Sequence, residues 1–332
     1  MMDAATQRFY GAGACASFAT AAALMLGIFA ANPLHADSFP ERDITMIIPF
    51  AAGGGTDQAA RQASIVAEKV LGQSIVPQNR PGGGSIPGMM EVKRAAPDGY
   101  TLLTAATPLA TAQHLDIEDI YYGDFEVVAI INFDAPVITV GADSELQSIE
   151  DYMEAAERNP GELSIGTTPP QGAWNVAARV LEEQSGLDLN IVSFPGGAAD
   201  AVTSLLGGHV ESVGVSLGEV YSHLRAGTVR VLAVGSSERM PQIPDVPTYD
   251  EAGMTTDFPA VGAFRVVLAP KGTPETAMET LQDAFYEAAQ SEEYKDFLDE
   301  FVFGHMALSG ADAVEFLEAQ HALFGEILSG AN

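Results

Sequence analysis

The residues best placed to do chemistry lie in the run Pro49-Phe50-Ala51-Ala52-Gly53-Gly54-Gly55-Thr56-Asp57, which follows the apolar segment Ile44–Ile48 and opens a helical pattern. Strand, glycine turn and helix together make a cradle for a small anion. Glycines let the backbone turn tightly and approach a ligand, while the first N–H groups of the helix lack an internal partner. The sequence argues against a phosphate loop, because Thr56-Asp57 stands where a lysine followed by Ser or Thr would reach the terminal phosphates. A second glycine run, Gly82-Gly83-Gly84-Ser85, follows Asn79-Arg80-Pro81 on the next strand-turn-helix unit. Farther along, Thr167-Thr168-Pro169-Pro170-Gln171-Gly172 and Phe194-Pro195-Gly196-Gly197-Ala198-Ala199-Asp200 each precede a helical pattern. No Lys or Arg lies within these turns. Backbone N–H groups are therefore expected to carry the anion, each charge-assisted bond contributing about 1.5–3 kcal/mol.

A second chemistry competes for the site. Gly214-Val215-Ser216-Leu217-Gly218 matches the nucleophile elbow of α/β-hydrolases and sits between a strand and a helix. Asp245, Asp250, His305 and His321 would complete the order Ser, Asp, His. No His-Gly-Gly oxyanion segment precedes it, so a secreted serine hydrolase using Ser216 is the alternative reading. Otherwise Ser216 is a hydroxyl facing a cleft or a buried, backbone-bonded serine. No metal or cofactor is expected. His114, His209, His223, His305 and His321 show no i,i+4 pair and no cysteine partner, and the acidic stretch from Asp116 to Glu126 lacks the spacing of a calcium loop. Arg61, four residues after Asp57, either touches a ligand carboxylate or, as the spacing favours, forms an intrahelical ion pair with Asp57.

The elements that must position these turns alternate along the chain. Strand patterns fall at Ile44–Ile48, 74–77, 101–104, 126–131, 137–140, 163–165, Asn190–Ser193, 211–215, 230–234 and 264–268. Helical patterns intervene, which is the signature of α/β sheets. Helix 57–71 carries Ala60, Ala63, Ala67, Val70 and Leu71 on one face and stops at Gly72. Ser148 with Asp151 three residues on is a capping-box start, and Pro160-Gly161 ends that helix. Helix 173–185 follows the third turn, and the chain closes with helices near 274–289, 291–302 and 311–328.

Composition sets the compartment and excludes some partners. The 332 residues are 47% hydrophobic and 18% charged, which supports one large or two medium globular domains. Arg8, an apolar stretch over 11–31 and Pro33-Leu34-His35-Ala36 before Asp37-Ser38 read as a secretory signal over 1–36, cleaved after Ala36. That stretch is rich in Ala and Gly and lacks a basic flank, which argues against a membrane anchor. The single cysteine, Cys15, falls inside it, so the mature chain has no disulfide or thiol chemistry. A net charge of −30 excludes nucleic acid. Such a surface suits high salt, and a marine or halophilic bacterium is the expected source. The charge does not exclude an anionic ligand, because the global field is screened while a helix terminus acts within its first turn.

Taken together these segments resemble the periplasmic solute-binding proteins of tripartite tricarboxylate transporters, also called Bug-type receptors. The resemblance rests on the Pro49–Asp57 run, Arg61, Asn79-Arg80-Pro81-Gly82-Gly83-Gly84 and Pro97-Asp98-Gly99-Tyr100-Thr101-Leu102. It continues through Asn159-Pro160-Gly161, Phe194-Pro195-Gly196-Gly197, Leu206-Gly207-Gly208, the stretch from Ala226 to Val234, Pro244-Asp245-Val246-Pro247-Thr248 and Ala269-Pro270-Lys271-Gly272-Thr273-Pro274. It implies an α/β, two-lobed periplasmic-binding-protein (Venus flytrap) fold, each lobe a mixed sheet flanked by helices. One lobe would comprise 39–139 with 264–332, the other 140–263. It implies a non-enzymatic receptor that closes on a small carboxylate and presents it to membrane transporter subunits, with no cofactor and a monomeric chain. A receptor serving a sensor kinase has the same sequence features.

The ligand-binding residues expected on this reading are Ala52, Gly54, Gly55, Thr56, Asp57 and Ser85 from one lobe, and Thr168, Gln171, Gly197 and Ser216 from the other. Many relatives have a Gly-Ser loop where this chain has Pro169-Pro170-Gln171-Gly172 followed by Trp174, its only tryptophan. Trp174 either walls the cleft or packs half-buried. Intact-mass measurement on the exported protein should find a chain beginning at Asp37; retention of Met1 would exclude the signal.

Overall fold

The computed structural model describes residues 39–115, 117, 119–256, 258 and 261–329. The expected signal over 1–36, its cleavage point and Cys15 lie outside the described residues.

Sequence periodicity and structure agree closely at the first unit. β1 (Ile44–Ile48) leads through the glycine turn into α1 (Gly55–Leu71), whose Ala59, Ala60, Ala63 and Ala67 are buried. Small residues on that face let the helix sit close to the sheet. Gly72 stops it at φ 66°, with its N–H on the carbonyl of Glu68, the left-handed turn that a residue without Cβ adopts freely. β2 (Ile75–Asn79), α2 (Ile86–Lys93), β3 (Thr101–Ala106), the short α3 (Pro108–Thr111) and β4 (Phe125–Asp134) follow.

At Ala135 the chain leaves the first sheet and enters a second one. β5 (Pro136–Gly141), α4 (Ile149–Arg158), β6 (Ser164–Thr167), α5 (Ala173–Ser185), β7 (Asn190–Ser193), α6 (Ala198–Leu206), β8 (Ser212–Ser216), α7 (Leu217–Arg225) and β9 (Val229–Val234) build it in the order β7-β6-β8-β5-β9. The segment 235–262 leads back to β10 (Ala263–Pro270), α8 (Glu275–Gln290), α9 (Glu292–Phe301), β11 (Leu308–Ser309) and α10 (Gly310–Ser329). The first sheet then reads β11-β4-β10-β3-β1-β2. In each sheet parallel pairs made by strand-helix-strand crossovers sit beside antiparallel ones. The fold is two-lobed, each lobe a mixed sheet flanked by helices.

The two crossings pack on each other. A Cβ at Gly262 would lie 2.0 Å from the carbonyl oxygen of Asp134, and the N–H of Gly235 donates to the carbonyl of Pro136 over 2.8 Å. Only glycine permits the first approach.

Three apolar clusters hold the elements. One face of the first sheet packs Ile44, Met46, Ile48 and Val267 against α1, α8 and α9, including Leu281, Phe285 and Tyr294. Its other face joins Met89, Leu103, Phe264, Leu317 and Phe324, and that cluster continues without a break into Ile138, Tyr152, Ile165 and Val176 around the second sheet. The remaining face of the second sheet packs Val137, Val213 and Val215 on Ala201, Leu205 and Val220. Truncating one fully buried leucine of this kind costs about 2–5 kcal/mol. Among the described residues no helix is long and apolar enough to cross a membrane.

Candidate ligand-binding site

The glycine turn before α1 is held open by a carboxylate. Asp57, 3% exposed, takes the N–H of Gly53 over 2.8 Å, Nε of Arg61 over 2.9 Å and Nδ2 of Asn79 over 2.8 Å. Nη2 of Arg61 donates in turn to Oδ1 of Asn79 over 2.8 Å, and Nδ2 of Asn79 also reaches the carbonyl of Phe50 over 3.1 Å. Burial alone would raise the Asp57 carboxyl; the bonds from Arg61, Gly53 and Asn79 outweigh it and hold the group below the usual carboxylate range. Asp57 is thus committed to its own loop, and Arg61 pairs with it as the spacing predicted.

Gly53 carries the left-handed conformation, at φ 80°, while Gly54 is extended at φ −74° and caps the helix. Ala52 and Gly54 are exposed, Gly55 and Thr56 half-buried. The N–H groups of Gly55 and Thr56 stand at the helix start, where no intrahelical acceptor exists. Ser85 lies next to this turn: it is buried at φ 74°, and the helix it opens brings Gly88 so close to Pro49 that a Cβ would sit 2.7 Å from the proline ring.

The sequence motifs contain no cation here, yet the fold supplies one. A Cβ at Gly55 would lie 2.9 Å from Nη2 of Arg265 and 3.3 Å from the Phe303 ring. Arg265, on β10 and 8% exposed, is ion-paired with Asp134 at the end of β4, and its guanidinium stands 5.0 Å from the Phe303 centroid. Asp134 also accepts from the N–H of Gly304 over 2.8 Å and from Nδ2 of Asn132 over 3.1 Å. A lone Arg in an otherwise apolar strand was the one sequence signal for this pair, since a buried charge requires a partner.

The second lobe's residues fall into two groups. In the β6–α5 turn, Nδ2 of Asn175 ties Thr167 to Ser193 over 3.1 and 2.9 Å. Thr168 places a hydroxyl out of solvent with no protein partner, covered by Gly172, where a Cβ would be 2.3 Å away. The carbonyl of Gln171 accepts from the Thr111 hydroxyl over 3.1 Å, joining this turn to α3 of the first lobe. At the end of β8, both the N–H and the hydroxyl of Ser216 donate to Oε2 of Glu219 over 2.9 Å. Burial raises the Glu219 carboxyl, the Ser216 bonds oppose that, and the charges of Asp134 and Arg265 act on it from across the crossing. Gly197, at φ 84°, starts α6 and is not tied to these groups by any described contact. Trp174 is 5% exposed in the second lobe's core with Ala198, Val202 and Leu205, so it packs and does not wall a cleft.

The hydrolase constellation does not assemble around Ser216. Nε2 of His305 lies 2.9 Å from Asp299, Nδ1 of His321 lies 3.1 Å from the carbonyl of Ala110, and Asp250 binds Thr255 and the N–H of Phe258. A separate cavity of about 540 Å³ lies at the crossings, lined by Phe133, Ala135, Met240, Phe258, Phe303 and His305, and includes none of the expected ligand residues.

Comparison with known proteins gives this geometry its family. Residues 59–332 match the Tripartite tricarboxylate transporter family receptor (TctC) family, and the chain belongs to it. It is 33% identical over 277 residues to Protein BugT of Bordetella pertussis, covering 80% of this chain and 84% of that one. The fold matches a TctC solute binding protein from Polaromonas with TM-score 0.76 and 31% identity, over 88% of this chain and 99% of that one. Two further structures of similar fold contain ligands. MatC from Rhodopseudomonas palustris, with bound malate, matches with TM-score 0.71 and 26% identity over 87% of this chain and 100% of its own. R. palustris Rpa4515, with adipate, matches with TM-score 0.75 and 25% identity over 88% and 97%.

The Asp57 network makes a pH-dependent prediction. Its folded carboxyl lies below its unfolded value of about 3.9, so its stabilisation is present above that value and lost as pH falls through the folded one. Denaturant midpoints of the protein and of Asp57→Asn should differ by about 1–3 kcal/mol at pH 7 and converge in strong acid. A difference independent of pH would contradict the network.

Proposed function

We propose that the protein is an extracytoplasmic receptor that captures a small carboxylate between its lobes and delivers it to the membrane subunits of a tripartite tricarboxylate-type transporter, acting as a secreted monomer without enzymatic activity. The lobes are taken as 39–139 with 264–332, and 140–263, save that β5 from Pro136 pairs within the second sheet and β10 from Ala263 within the first. The observation that carries the reading is the start of α1. There the N–H groups of Gly55 and Thr56 have no intrahelical acceptor, the turn before them is fixed by Asp57, and the Arg265 guanidinium stands beside Gly55. Carboxylate ligands in two structurally similar proteins support the same chemistry for this chain.

One carboxylate of the ligand binds Gly54, Gly55 and Thr56, with Ser85 alongside. Thr168, whose hydroxyl lacks a partner, Gln171, Gly197 and Ser216 face it from the second lobe. Water bridges the remaining distance. Because the α1 terminus and Arg265 act at short range, they prevail over a net charge of −30 that solvent screens.

Thermal unfolding with malate or adipate tests this. Ligand at about a hundredfold over its dissociation constant adds about 2.7 kcal/mol and should raise the melting temperature by several degrees. In Gly55→Val the new side chain meets Arg265 at 2.9 Å and the shift should vanish; in Gly54→Val the Cβ meets only the carbonyl of Ala51 at 3.4 Å and more of it should survive. A shift with sugars or amines and none with any carboxylate would overturn the reading.

A further inference from the structure

The cavity at the crossings is walled by both lobes and shares no residue with the expected carboxylate site. Its buried and half-buried lining is apolar: Phe133 near the end of β4, Met240 and Phe258 from the segment between β9 and β10, and Phe303 and Met306 from the turn after α9. Its exposed lining is polar and forms a rim. The cavity measures about 540 Å³. A dry apolar cavity of about 150 Å³ already accepts benzene, so this one has room for a two-ring molecule.

The rim decides the charge of the occupant. Among the described lining residues the basic groups are already engaged. Nε of Arg239 donates to Glu251 over 2.7 Å and its Nη1 to the carbonyl of Pro244 over 3.1 Å, while Nε2 of His305 lies 2.9 Å from Asp299. Glu238 is exposed at the same rim, so an anion would enter with no cation to meet it. A cation is no better placed, because the Phe303 ring already faces the guanidinium of Arg265, 5.0 Å from its centroid. Phenyl rings and thioethers gain instead from a flat, polarizable, uncharged partner.

Phe303 is the wall common to this cavity and the glycine turn: a Cβ at Gly55 would lie 3.3 Å from its ring. Its neighbour Val302 is buried in the second lobe's cluster with Val137, Val215 and Val220, at φ 56°, a left-handed conformation that a β-branched residue seldom adopts. Gly218 of α7 meets the same segment, since a Cβ there would be 3.1 Å from the carbonyl oxygens of Phe301 and Val302. The segment 301–304 thus touches both lobes, and whatever fills the cavity bears on it. We infer that the cavity is a second ligand site, for an uncharged aromatic molecule of one or two rings, and that its occupant buttresses Phe303 against Gly55 and Arg265 and so raises carboxylate affinity. The site stands on the cavity alone; the effect on carboxylate rests on the reading given above.

Titration calorimetry with indole, and with tryptamine as its cationic counterpart, tests the site in about 0.5 M salt, which screens the acidic surface. Indole should bind at a single site, and tryptamine about tenfold or more weakly. Met240→Trp and Met306→Trp each fill the cavity from a different segment and should abolish indole binding. Melting curves identify which variant is folded; either suffices, and Ser237→Trp at the exposed rim takes their place if neither is. Malate or adipate, whichever binds better, should bind about fivefold or more tightly with indole saturating, and indole should gain by the same factor when the acid is present. In the folded Trp variant indole should leave the acid's affinity unchanged. No indole binding, indole binding that survives the filling of the cavity, or tryptamine binding as tight as indole overturns the site. Indole bound in the cavity with the acid's affinity unchanged or lowered overturns the buttress. Indole binding while neither acid binds contradicts the carboxylate reading and the buttress with it, and leaves the site standing.

Discussion

The ion pair between Arg265 and Asp134 is the constraint on which the rest of the site depends. Asp134 is the last residue of β4 before the chain leaves the first sheet, and Arg265 stands on the strand that brings it back. Both are buried, so each charge is tolerable only with the other and with the donors from Asn132 and Gly304 in place. Removing one partner from such a pair leaves an uncompensated buried charge, at a cost of about 3–5 kcal/mol. The pair thereby fixes the two crossings against each other where Gly262 meets Asp134. It also sets a guanidinium beside the start of α1 in a protein whose net charge is −30.

Around that pair, two helices begin with an acid at the third position and are treated differently. Asp57 of α1 is neutralised by Arg61 and turned back onto Gly53, which rigidifies the turn and leaves the charge of the helix start positive toward the cleft. Glu219 of α7 instead turns back onto the N–H and hydroxyl of Ser216. The arginine one helical turn on, Arg61, is what pairs with Asp57.

How much of this was legible in the sequence follows from range. The strands, the Ser148 cap, the Gly72 stop and the Asp57–Arg61 pair are set within a few residues, and their patterns read correctly. The ends of β4 and β5 extend past their apolar runs because pairing with β10 and β8 continues through Asp134 and Pro136. β11, two residues long, has no periodicity to detect and exists only as a pairing with β4. Arg265 and Asp134 were invisible as a pair, since two strands from distant parts of the chain bring them together. Trp174 was ambiguous for a related reason: an indole can wall a cleft or fill a core, and only the packing of α6 against it decides.

The most direct test of the central claim is a crystal structure of the protein with malate bound. One malate carboxylate should lie within hydrogen-bond distance of the Gly55 and Thr56 N–H groups, on the side of the turn that Arg265 supports, with the Asp57 network unchanged. Malate seated in the cavity at the crossings near Phe303 and His305, with the glycine turn empty, would contradict it.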